Sequence, residues 1–107
     1  MLGVSYHPDA EAELDAAVSW LAARDLTVAA KLLDDVHQAL RSIREAPLAR
    51  PLWPGVSPRH RVRRCVLSRF AFSIAFLVER DHLVIVAVAH QRRRPGYWLE
   101  SVRSLPR

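Results

Sequence analysis

One cysteine and three glycines are all that the 107 residues hold of either type. With Cys65 alone, neither an intramolecular disulfide nor a cysteine zinc cluster can form. Within the apolar-flanked run at residues 62–67, Cys65 is expected to pack in the core. Few glycines, 25% charged and 50% hydrophobic residues together exclude a disordered or low-complexity chain. No stretch approaches the roughly 18 apolar residues of a membrane span, and the start MLGVSYHPDAEAEL is not a targeting segment, so a cytoplasmic protein without membrane contact is expected. Gly-rich phosphate loops, HExxH and Gly-x-Ser-x-Gly are also missing, which removes the enzyme classes that depend on them. The five histidines (His7, His37, His60, His82 and His90) fall on different segments, so neither a metal nor a cofactor is expected.

What is abundant is arginine, and it is unevenly placed. The chain carries a net charge of +5 and a pI near 10.6. Residues 1–58 hold five basic and eight acidic side chains, a net of −3, whereas residues 59–107 hold eleven and three, a net of +8. An anionic partner for the second half follows from this asymmetry.

The length fits one domain spanning 1–107. Residues 3–6 read as a strand, broken by His7-Pro8. A helix is expected over 9–24, with acids in its first turns and Ala10, Leu14, Ala17, Val18 and Leu21 at helical spacing. Asp25 then caps a second helix over 26–46, whose stripe is Ala29, Leu32, Leu33, Val36, Leu40 and Ile43. The short interval makes the pair an antiparallel hairpin, with the acids of the first helix read as a solvated face and Trp20 and Trp53 as its cover. Residues 47–58 contain four of the seven prolines and form a loop with little regular hydrogen bonding.

Residues 59–90 hold three antiparallel strands, at 61–67, 70–79 and 83–90. In the second, Phe70, Phe72, Ile74, Phe76 and Val78 share the face that should meet the hairpin. The third, LVIVAVA, is apolar on both faces and suits the middle of a sheet, while the first interleaves Arg61, Arg63 and Arg64 with apolar residues and must partly face water. Residues 91–107 form a basic C-terminal tail. The fold class is α+β, with an N-terminal strand and a helical hairpin on a small antiparallel sheet.

One constellation carries chemistry. His90 ends the last strand and Arg92, Arg93, Arg94 and Tyr97 follow it, and one cleft holding them would suit phosphate groups, with arginine forks on the oxygens and His or Tyr as acid or base. The plainer alternative has His90 capping the strand, the arginines solvated or facing an acidic protein, and Tyr97 and Trp98 in the core.

The succession resembles the RelE/ParE superfamily of bacterial toxins. HPDAEAELDAAVSWL is similar to its first helix and AAKLLDDVHQALRSIREAP to its second; RFAFSIAF stands in the strand meander where Arg-Phe-Pro-Tyr-x-Ile-x-Tyr is usual, and RRRPGYW resembles the ending Arg-x-Pro-x-Tyr-Trp. The resemblance implies a toxin causing growth arrest, neutralised by a cognate antitoxin whose acidic C-terminal segment covers the basic surface; operator DNA would be met only through the antitoxin. Antitoxin- or target-binding residues would be Arg61, Arg63, Arg64, Arg69, Arg92, Arg93, Arg94, Tyr97 and Trp98.

Within that superfamily the RelE branch is implied to cut mRNA on the ribosome and the ParE branch to poison DNA gyrase. For a nuclease, Arg64, Arg92, Arg93, Tyr97 and His90 are the candidate catalytic residues. Two positions depart from the nuclease pattern: Val66 and Ser73 stand where basic residues are expected. The YW ending looks more like the ParE branch, a non-enzymatic inhibitor; a degenerate toxin kept as an antitoxin- or DNA-binding module is a third possibility.

Overall fold

The computed structural model describes residues 2–105, so Met1 and residues 106 and 107 of the expected tail lie outside it. Its first strand, β1 (Gly3–Tyr6), leads at His7 into helix α1 (Pro8–Ala22). His7 is the N-cap: its Nδ1 accepts from the Asp9 N–H at 3.1 Å, and Pro8 takes the first helical position, where a missing N–H costs nothing. Helix α1 ends two residues earlier than expected, at Ala22, where Arg24 donates to the Trp20 carbonyl at 2.8 Å and stacks on its indole. Asp25 then caps α2 (Leu26–Glu45), accepting from the N–H groups of Thr27 and Val28.

Strands β2 (Arg63–Val66), β3 (Phe72–Glu79) and β4 (His82–His90) form the expected antiparallel meander, and β1 joins it in parallel beside β4. The order β1-β4-β3-β2 makes the sheet mixed and puts β4 inside, as its two apolar faces require. β2 starts later than the pattern implies because Pro58–His60 makes a 3-10 turn and Arg61 turns left-handed at φ 56°. Residues 47–58 are less irregular than expected: Leu52 bridges Arg63, the Trp53 N–H donates to the Val62 carbonyl and the Arg64 N–H to that of Pro51.

Both faces of the sheet are buried. On the hairpin side Leu32, Val36 and Ile43 of α2 and Ala10 of α1 pack on Ile74, Phe76, Leu83, Ile85 and Val88. On the other side Ala75, Leu77, Val86, Ala87 and Ala89 lie beneath Trp53, Trp98 and Val102. A β-bulge reconciles the two: Ala75 pairs with Ala87 but Phe76 with Ile85, leaving Val86 as the extra residue. Residues 83 and 85 face the hairpin before it and 88 after it, so the alternation changes parity within one strand.

Two expectations are corrected here, the tryptophan cover and the solvated acids of α1. Trp53 covers the face away from the hairpin, and Trp20 covers little, remaining 58% exposed. The tail also contains a third helix, α3 (Leu99–Arg103), which places Val102 in the second core. The acids of α1 are not only a solvated face, because Asp9 and Glu13 bind that tail. Cys65 is buried as expected, and burial pushes its thiol up, aided by Asp35 and opposed by Arg50.

Candidate functional site

At the end of the sheet where β4 finishes, β2, β3 and the tail enclose a cleft of about 300 Å3. Period-two alternation decides which arginine of β2 reaches it. Arg64 and Val66 lie opposite Ala75 and Ser73 and share the tail-side face, whereas Arg63 and Cys65 lie opposite Phe76 and Ile74 on the hairpin side. Arg64 therefore lines the cleft, with its guanidinium 5.7 Å from the centroid of Trp53. Arg93, Arg94, Tyr97 and Trp98 enter from the tail and His90 from the end of β4.

Among the residues that line it are three arginines and no carboxylate, so the cleft favours an anion. Trp53 and Trp98 meet edge to face beneath it, but both are buried, which leaves little ring face to stack on a ligand. Val66 and Ser73, the two positions without the basic groups of the nuclease pattern, are on the cleft wall.

The remaining candidates are elsewhere or have other work. Arg61 lies 3.9 Å from the Glu79 carboxylate, at the end of β3 away from Ser73. Arg63 donates to the carbonyls of Arg50, at 2.6 Å, and Leu48, stapling the proline-rich segment to β2. Arg69 sits in the β2–β3 turn, where its N–H donates to Asp35. Arg92 is exposed beside the cleft, and its N–H donates to His90 Nδ1 at 3.1 Å, the strand-end role foreseen for that histidine.

Tyr97 is held by a residue that the pattern did not single out. Its hydroxyl donates to Glu13 Oε2, and the Arg93 guanidinium lies 3.7 Å from its ring centroid and 3.5 Å from the same carboxylate oxygen. Burial pushes the phenol far above its ordinary value, helped by the hydrogen bond and charge of Glu13 and opposed by Arg93. In the sequence Glu13 is one of several acids near a helix start, and only its position four residues after Asp9, on the same face, hints at a shared role.

A helical hairpin on one face of this sheet is the architecture that the RelE/ParE resemblance implies. The profile described as "ParE toxin of type II toxin-antitoxin system, parDE" matches residues 4–95, and the chain belongs to that family. The solved chromosomal ParDE TA system from P. aeruginosa has a similar fold, with a TM-score of 0.69 and 22% identity, covering 84% of this chain and 96% of that one. No curated protein matches in sequence. Among the described residues no helix is long and apolar enough to cross a membrane.

Proposed function

We propose that this ParE-family toxin is a non-enzymatic inhibitor of DNA gyrase, held inactive by a cognate antitoxin whose acidic segment occupies the basic cleft. The observation that carries the choice of binding over cutting is the engagement of Tyr97 by Glu13. A phenol that donates to a carboxylate and is displaced upward in pKa is a poor general base, and its proton is already engaged. Val66 and Ser73 on the cleft wall remove two further cations that a metal-free nuclease would use to stabilise charge. Arg64, Arg93 and Arg94, of which only Arg93 meets a carboxylate, suit an acidic protein segment by charge complementarity.

The convergence of Arg64, His90, Arg93 and Tyr97 on one cleft favours the RelE-like ribonuclease as the second reading. Induction in cells, with supercoiling, translation and mRNA integrity followed in parallel, separates the two. Purified protein is expected to block gyrase supercoiling and accumulate cleaved DNA, with transcripts left intact. Normal supercoiling at saturating protein, or mRNA shortened at codon boundaries in a manner lost in Tyr97→Phe, overturns the inhibitor reading.

A further inference from the structure

Glu13 joins three elements through one carboxylate. β1 pairs with β4 only from His82 to Ile85, and beyond that point the chain of β1 has turned into α1. The Val88 N–H, on the edge of β4 that β1 no longer covers, donates instead to Glu13 Oε1 at 3.1 Å. The other oxygen, Oε2, takes the Tyr97 hydroxyl and lies 3.5 Å from Arg93. One turn earlier on α1, Asp9 accepts from Ser101 at 3.0 Å, so the same helix face holds the tail at a second point.

We propose that Glu13 is the positioning residue of the basic cleft: by tying the tail to α1 and to the uncovered edge of β4, its carboxylate sets where Arg93 stands in the cleft wall. The inference rests on the cleft being the surface that takes the acidic partner. Arg93 has a long, flexible stem, and here it is pinned between a carboxylate and the face of Tyr97. Preorganisation of this kind lowers the ordering cost of binding, while Arg64 and Arg94 keep the cleft cationic beside the one charge that Glu13 offsets.

The variant Glu13→Gln keeps the shape and one acceptor for the Val88 N–H while removing the charge that holds Arg93. An oligoglutamate peptide at low ionic strength serves as the anionic probe, and the phenolate absorbance of Tyr97 in a Tyr6→Phe background serves as a spectroscopic reporter. Glu13→Gln is expected to make Tyr97 ionise at lower pH and to weaken peptide binding about fivefold. Arg93→Ala should weaken binding similarly, and the double variant should lose little more than either single one, because both changes remove the same interaction. Unchanged or tighter binding in Glu13→Gln, where Arg93→Ala still weakens it, overturns the proposal, as does an unmoved Tyr97 titration. If neither Arg93→Ala nor Arg94→Ala affects the peptide, the cleft is not the binding surface and the reading of the previous subsection fails; the Tyr97 titration then decides the tie to Glu13 by itself.

Discussion

Trp53 and Trp98 meet edge to face, with ring centroids 5.1 Å apart and planes at 68°, and this pair closes the face of the sheet that the hairpin leaves open. One ring comes from the proline-rich segment and the other from the tail, so the contact fastens the two irregular parts of the chain to each other. Trp98→Ala is expected to cost about 3–5 kcal/mol, measured by denaturant unfolding. Trp98→Phe should lose clearly less, because it keeps most of the buried ring and removes an indole N–H that has no partner among the described residues.

Asp35 is a buried carboxylate on the apolar side of α2. It accepts from the Ser68 hydroxyl at 2.9 Å and from the Arg69 N–H at 3.0 Å, fixing the β2–β3 turn to the hairpin. Asp35→Ala removes both hydrogen bonds, and a loss of about 1–3 kcal/mol is expected in denaturant unfolding. Asp35→Asn retains an acceptor and should fall between that variant and the parent.

Arg61 and Arg63 stand two residues apart and should behave differently. Arg61 makes a long ion pair with Glu79 from an exposed position, an interaction worth at most about 1 kcal/mol, so Arg61→Ala should leave the unfolding midpoint nearly unchanged. Arg63 supplies charge-assisted hydrogen bonds to two backbone carbonyls, and Arg63→Ala should cost about 1.5–3 kcal/mol. Parallel urea titrations of the two variants test this, and equal losses would falsify the division between an exposed cation and a structural one.

The raised pKa of Tyr97 ties stability to alkaline pH. Below about pH 10 the phenol is protonated in both folded and unfolded chains. Above it the unfolded chain releases the proton while the folded chain retains it, so the unfolded state binds fewer protons and stability falls as pH rises. Tyr97→Phe should flatten that decline in unfolding midpoints measured on either side of this value. Tyr6, raised by burial and by Glu11, contributes with the same sign, so the flattening is partial unless Tyr6→Phe is combined with it.

The parts of the fold legible in the sequence are those governed by a repeating pattern. The stripe from Ala29 to Ile43 and the alternation from Phe72 to Val78 each point to one face, and the structure uses those faces. What could not be read depends on a single residue or on distant partners. The bulge at Val86 is invisible because residues on both sides of it are apolar in either parity. Helix α3 has only five residues, too short for a periodic signal, and it stays in place because Val102 and Ser101 are held from other elements.

The cleft was legible in part for the same reason. Arg64, His90, Arg93, Arg94 and Tyr97 converge because they flank strand ends that the pattern located. The structural contacts of Arg63 could not be read, because a run of basic residues does not disclose which of them faces a carbonyl. Glu13 was missed because an acid in the first turns of a helix already has a sufficient local explanation in the helix dipole.

The sheet is a middle layer, and the cleft belongs mainly to what covers it. The Trp53 segment and the tail furnish most of the wall, while the hairpin and the opposite face of β3 hold the larger core apart from it. Exposed positions of that outer covering, such as Arg94, can change without touching the larger core on the far side of the sheet. On the proposed reading of the cleft, partner choice and the larger core thus lie in different strata of one small protein, so the first can be altered while the second stands still.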